Sequence, residues 1–294
     1  MSRNLRICML NADAPVPVVA AERAPTYGRI FHQLLSSAAA NTKSPCASLD
    51  PTIQITSTDF DVTKNEYPSS IAEFDAVIIS GSANSAYDEL LWIRKLARWT
   101  KETYERHPRV KIFGSCFGHQ LVCQALLEDY GVKVEKHPEG WELGVKEISL
   151  HRQFYHALVE NKEGKDDMNV KKMRLQFVHH DHVVVPDVEA LPGSWTTLGR
   201  TQHCANQGMY EPGRVLTFQG HFEFDRFINS ETIKYFFPNW QPKVLEETLD
   251  AIDADDDSVA AAGVVLKFFL DDSAKKHGQS HAVVGGLLTP PSRG

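Results

Sequence analysis

An α/β fold, with a mostly parallel central sheet covered by helices on both faces, is predicted from three observations. Compact apolar runs occur at Leu5 to Leu10, Asp75 to Ser80 (DAVIIS) and Val110 to Ser115 (VKIFGS). Between them lie stretches whose apolar residues recur at helical spacing. The two kinds of segment alternate along the chain.

Taken in order, Leu5 to Leu10 reads as a strand broken by Asn11 and Asp13. Gly28 to Ala40 reads as a helix, with Ile30, Phe31, Leu34 and Leu35 on one face. Ser36 to Pro51, rich in Ser and Ala, reads as a surface insertion. Thr52 to Thr58 alternates as a strand does, and Leu90 to Arg106 repeats apolar residues at Leu91, Ile93, Leu96, Ala97 and Trp99. After Gln120 the helix LVCQALLEDY runs to Gly131, whose missing side chain suits a left-handed C-cap. Val132 to Glu135, Gly144 to Leu150, Arg174 to Val178, Ala205 to Tyr210 and Arg214 to Phe218 are short strands between turns, expected to form a small antiparallel extension. Asn161 to Lys172 reads as a charged insertion. Near the end, Asp257 or Ser258 is placed to cap a helix running to about Leu270, expected to dock on the core. These readings divide the chain into one domain over 1–240, a helical extension over 241–279 and a disordered tail over 280–294, where Gly, Pro and Ser dominate.

At 294 residues, 42% hydrophobic and 23% charged, the chain has the composition of a soluble protein with a sizeable core. A formal charge of −7 disfavours a nucleic-acid or anionic-membrane surface, so the expected partner is a small molecule. The N-terminal apolar run is too short for a signal peptide, and no run approaches the length of a membrane span. Five cysteines, Cys8, Cys46, Cys116, Cys123 and Cys204, are odd in number and irregularly spaced, which points to reduced thiols in the cytoplasm. No zinc pattern appears. His179, His180 and His182 are dense, but the first two are neighbours that would face opposite sides of a strand, so neither metal nor cofactor is expected.

Chemistry concentrates at Phe113-Gly-Ser-Cys-Phe-Gly-His-Gln120, a glycine, nucleophile, glycine turn where an apolar strand ends and a helix begins. Gly114 and Gly118 let strand and helix approach closely, and the helix N-terminus favours a Cys116 thiolate. Cys8 and Cys123 read as plain core. A thiolate nucleophile needs a base and a group that fixes the base. Leu216-Thr-Phe-Gln-Gly-His-Phe-Glu-Phe224 offers both, with His221 following a strand and Glu223 two residues on.

GSCFGHQ followed about a hundred residues later by QGHFE resembles the class I (triad) glutamine amidotransferases, whose elbow reads Gly-x-Cys-x-Gly-x-Gln and whose base segment usually reads Gly-His-Pro-Glu. The resemblance covers roughly residues 5 to 225. It implies a flavodoxin-like sheet and hydrolysis of the glutamine side-chain amide through a γ-glutamyl thioester. It further implies an oxyanion hole from Gly81 or Ser82, in Ile79-Ser-Gly-Ser-Ala-Asn84, together with the amide of Phe117. By the same likeness Gln120 would hold the substrate's α-substituents, and His180 and Asp181 would lie beside the substrate pocket. Phe222 departs from the family's usual proline, which bears on how the loop is positioned.

GWELG at 140–144 and HHDHV at 179–183 add a similarity to stand-alone amidotransferase-like proteins and γ-glutamyl peptidases. The expectation is therefore cysteine-dependent hydrolysis of a γ-glutamyl amide, in glutamine or in a γ-glutamyl conjugate. Either a partner synthase accepts the ammonia or water is the acceptor. The alternatives are a non-catalytic regulatory or binding subunit on the same fold and a different cysteine hydrolase.

Overall fold

Along β1 (Asn4–Asn11), Ile7 and Met9 point to one side and Cys8 and Leu10 to the other, and all four are buried. Burial on both faces is the mark of an inner strand in a parallel sheet. The computed structural model describes residues 4–40, 53–159 and 172–271. After β1 the chain forms α1 (Pro17–Glu22), α2 (Tyr27–Ala40), β2 (Gln54–Asp61), β3 (Ala76–Ile79), α3 (Leu91–Arg106), β4 (Lys111–Ser115) and α4 (Phe117–Leu127). There follow β5 (Lys133–Lys136), β6 (Glu142–Leu150), the single turn α5 (Arg152–Phe154), β7 (Lys172–His179), β8 (Asp181–Val184), β9 (Thr196–Thr197), β10 (Gly199–Arg200), β11 (Met209–Glu211) and β12 (Val215–Phe218). The last helices are α6 (Arg226–Phe236), α7 (Pro242–Ile252) and α8 (Ser258–Leu270).

The central sheet runs β2-β1-β3-β4-β12-β11-β9. Its first five strands are parallel, and β11 and β9 join antiparallel. One face carries Ile7, Met9, Ile78, Phe113, Leu216 and Phe218 against α2 and α8. The other carries Cys8, Leu10, Val77, Ile79, Ile112 and Val215 against α3 and α4. Each large apolar side chain sealed in these layers contributes roughly 1.5–3 kcal/mol. Two smaller antiparallel sheets, β10-β6-β7 and β5-β8, form the expected extension.

Strand β12 departs from expectation. Its sequence groups it with the antiparallel strands, yet it lies parallel to β4, with Thr217 opposite Gly114 and Phe218 opposite Ser115. Four consecutive buried residues, VLTF, mark an inner strand, but the turns around it resemble those of a meander, and strand direction is not written in the residues themselves. This register brings the carboxyl ends of β4 and β12 side by side, and crevices beyond strand carboxyl ends are where open α/β sheets bind ligands.

Smaller differences have local causes. Of the expected strand Ala205 to Tyr210 only the last two residues are strand, opening Met209–Glu211, because the preceding turn folds back through Gln207 N–H to the Gly199 carbonyl at 2.9 Å. Ser36 to Ala40 completes α2; residues 41–51 of that expected insertion lie outside the described residues, as does Thr52 of the next expected strand. Lys172 opens β7, and the rest of the charged insertion lies outside them too, as does 280–294. Gly131 takes the left-handed C-cap conformation at φ +79°. Asp257 precedes α8 but gives its carboxylate to Arg174, accepting from the backbone N–H at 2.8 Å, so it ties α8 to β7 rather than capping the helix. Helices α1 and α6 and strands β8 to β10 were not foreseen. No described helix is long and apolar enough to cross a membrane.

Candidate active site

The turn from β4 into α4 is held by glycine. A Cβ on Gly114 would lie 2.5 Å from the Gly118 carbonyl oxygen, and one on Gly118 would lie 2.3 Å from the Ile79 carbonyl oxygen. Strand, helix and neighbouring strand thus meet at backbone contact, which no side chain would allow. Cys116 sits at the bend with φ +51°, ψ −105°, a strained conformation for a non-glycine residue. Its own N–H donates to the Phe218 carbonyl at 2.8 Å, stitching the bend to the end of β12.

Beyond β12, the N–H of His221 donates to the Gln176 carbonyl of β7 at 2.8 Å, and its ring stacks on Phe224 at 4.0 Å. The Nδ1–H of His221 donates to Glu223 Oε1 at 2.7 Å, with both side chains almost fully buried. Ser115 Oγ–H donates to the same oxygen at 3.0 Å. Burial disfavours a charged ring, but the Glu223 carboxylate and the Cys116 sulfur outweigh it and hold the imidazole pKa well above the ordinary histidine range. Among the described residues Nε2 meets no hydrogen-bond partner.

Phe222, where the family usually has proline, is buried and packs on Phe31, Phe113 and Phe218 with centroid distances of 5.4, 5.6 and 6.1 Å. Aromatic packing anchors the loop from beneath, between the two residues it presents upward.

A cavity of about 340 Å³ opens over this bend. It is lined by Cys116, His221, Glu223, Gly81, Ser82, Gln120, His180 and Asp181, so eight of the nine residues singled out from sequence meet there. Gly81 adjoins both side chains: a Cβ built on it would lie 3.1 Å from His221 Cε1 and 3.7 Å from Cys116 Cβ. Ser80 Oγ–H donates to the Gly81 carbonyl at 2.9 Å, and in a trans peptide this turns the Ser82 N–H the opposite way. Phe117, the ninth, begins α4 with its ring buried against Trp92 at 5.6 Å.

Gln120 is neither exposed nor free. Its amide nitrogen donates to the Asp181 carbonyl at 3.0 Å and to Gln219 Oε1 at 3.1 Å. The Asp181 carboxylate accepts from Ser85 Oγ at 2.5 Å and Tyr87 OH at 3.1 Å. His180 is partly exposed beside Trp141, 5.2 Å between ring centres, whereas His179 is buried on Glu142 at 2.8 Å, so the two neighbours do face opposite ways. Among the described residues no cluster of His, Cys, Asp and Glu could hold a metal ion. Cys8 and Cys123 are completely buried, and burial pushes both thiols far above the usual range.

Sequence reasoning missed several lining or supporting groups. Asp13 accepts from the Ala83 N–H at 2.9 Å and braces the loop after β3. Trp141 and Phe236 form an exposed aromatic rim, and Ser115 and Gln219 stand behind Glu223 and Cys116. Ser115 and Gln219 lie within the quoted motifs, adjacent to Cys116 and two residues before His221, which was the available signal.

Comparison with known proteins settles the kinship. The model of the class I glutamine amidotransferase family matches residues 35–237. The chain belongs to that family. A glutamine amidotransferase-like protein of Schizosaccharomyces pombe is 30% identical over 90% of this chain and 98% of its own length. Gamma-glutamyl peptidase 2 of Arabidopsis thaliana is 26% identical over 72% of this chain and 80% of its own. Among solved structures, a glutamine amidotransferase from Thermotoga maritima superposes with a TM-score of 0.63 at 14% identity, covering 91% of this chain and 99% of that one. That likeness is one of fold, and it matches the flavodoxin-like sheet expected of this amidotransferase-family chain.

Proposed function

We propose that the protein hydrolyses a γ-glutamyl amide bond, in glutamine or a γ-glutamyl conjugate, with Cys116 as nucleophile, His221 as proton carrier and Glu223 orienting His221. One observation carries the reading: a buried 2.7 Å His221–Glu223 hydrogen bond opens into the cavity that also receives a cysteine at a strained strand-to-helix bend. The Cys116 proton passes to His221 Nε2, and sulfur bonds to the side-chain carbonyl carbon. The resulting oxyanion is held by backbone N–H groups at Ser82 and Phe117, each worth on the order of 3 kcal/mol. His221 returns the proton to the leaving nitrogen, which departs as ammonia or amine. Water, deprotonated by the same ring, then splits the thioester and frees glutamate.

The γ-glutamyl part of this reading is supported by the Arabidopsis relatives named gamma-glutamyl peptidases. The four described cysteines are free thiols, which supports a reducing compartment such as the cytoplasm. Incubation with glutamine, glutathione and a glutathione conjugate, with released glutamate and ammonia quantified, tests the proposal. Turnover by the wild type and none by a folded Cys116→Ala variant is expected. Full turnover by that variant would remove Cys116 as nucleophile, and none by the wild type with any γ-glutamyl compound, even beside a candidate synthase, would leave the non-catalytic subunit.

A further inference from the structure

Behind Cys116 runs a chain of hydrogen bonds whose polarity is fixed at every link. It starts at the main-chain carbonyl of Asp181, which can only accept. The Gln120 side-chain atom 3.0 Å away must therefore be its NH2. That same NH2 lies 3.1 Å from the end of the Gln219 side chain, so the Gln219 atom facing it must be the oxygen. The other end of the Gln219 amide, its NH2, is thereby turned to Cys116 Sγ at 3.6 Å. Amide orientations are ordinarily a matter of assignment, but here the carbonyl dictates both.

We infer that Gln219 is a further catalytic residue: its amide N–H donates to the Cys116 sulfur and stabilises the thiolate, while Gln120 acts as a positioning residue that holds the Gln219 amide in the donating orientation. A thiol sulfur is a poor acceptor and a thiolate a good one, so a fixed donor favours the charged form selectively. Gln219 is completely buried, so water cannot substitute for it. Its backbone is held as well, since its N–H donates to the Gln207 carbonyl at 3.0 Å while the carbonyl of the preceding Phe218 accepts from Cys116 N–H at 2.8 Å. Sulfur and amide are thus clamped to one another through main chain and side chain alike. Gln120, expected from the family likeness to hold the substrate's α-substituents, is given an inward role instead.

The inference rests on Cys116 being the nucleophile, yet its test is read on the thiol and stands apart from turnover. The titratable groups around the cavity, besides Cys116 itself, are the carboxylates of Asp13, Asp181 and Glu223, the rings of His179, His180 and His221, Tyr27 and Lys136. All are retained in the variants, so a change in titration reports the amide. The rate of iodoacetamide alkylation at Cys116, followed on its own peptide by mass spectrometry, is measured against pH for the wild type, Gln219→Met, Gln219→Glu and Gln120→Met. Loss of one donor to a charged group should move the Gln219→Met midpoint up by about one pH unit. Gln219→Glu, which places a carboxylate against the sulfur, should move it further. Gln120→Met should move it less, because the Gln219 amide is then only released to turn. The plateau rate at high pH should be kept or slightly raised, since a more basic thiolate is intrinsically more nucleophilic, whereas a structural collapse would alter access at every pH. Should Gln219→Met not fold, the Gln120→Met shift decides. Midpoints that coincide with the wild type's in the folded variants would overturn the inference even if glutamate release remains; failed glutamate release with shifted midpoints would uphold it and remove the hydrolytic reading alone.

Discussion

Replacing Glu223 by Gln keeps the shape of the site and removes one buried charge. The carboxylate lies 2.7 Å from His221 Nδ1, atom to atom. With charge centres on the order of 4 Å apart and an effective dielectric constant of about 20, attraction to the imidazolium amounts to about 4 kcal/mol. A neutral amide oxygen in the same place retains a hydrogen bond worth about 1 kcal/mol, leaving a net loss of about 3 kcal/mol. If that loss falls on the step in which the ring carries the proton, kcat drops on the order of a hundredfold while KM is little changed. The pH profile must move as well. The carboxylate raises the pKa of His221, and the ring is protonated below that pKa; removing the carboxylate lowers the pKa, so the alkaline limb of the profile shifts to lower pH. Glutamate release measured across the pH range in wild type and variant checks both. A kcat within about threefold of wild type together with an unmoved alkaline limb would assign Glu223 to packing and refute the reasoning.

Three further outcomes are expected. Ser115→Ala removes the second donor to Glu223 Oε1 and should lower turnover roughly tenfold, checked by the same assay with unfolding as a control; undiminished turnover would show that Glu223 needs no second anchor. Gly118→Ala forces a Cβ to 2.3 Å from the Ile79 carbonyl oxygen and should cost about 3 kcal/mol or more in urea unfolding, so an unchanged midpoint would mean that the bend yields. Phe222→Ala empties the aromatic seat beneath the His221 loop and should destabilise by roughly 3–5 kcal/mol in the same experiment.

The parts of the fold legible in the residues are those fixed locally. DAVIIS and VKIFGS are compact apolar runs that read as buried strands, and the recurrence of apolar residues from Leu91 to Trp99 reads as a helix. The elbow was legible because two glycines flank a cysteine, and the contacts at Gly114 and Gly118 supply the physical reason for them. What could not be read depends on partners far away in the chain. The direction of β12 is set by its seat between β4 and β11, not by VLTF. Gln219 resembles any polar residue after a strand until the carbonyl of Asp181, brought in by β8, fixes the amide of Gln120 beside it. Phe222 reads as a departure from a motif, and only the positions of Phe31, Phe113 and Phe218 reveal it as an anchor.

The placement of α8 bears on how the chain is made. Ala261, Val264, Val265 and Phe268 complete the layer that covers Phe113 and Phe218, yet they are among the last described residues to be synthesised. During translation β4 emerges long before its cover, and at ordinary elongation rates the interval from Ser115 to Leu270 lasts roughly 10 to 30 s. From its synthesis until then Phe113 lacks the α8 part of its cover, and Phe218 shares that state once β12 has been made. Closure of the layer has to wait until the ribosome has passed Leu270.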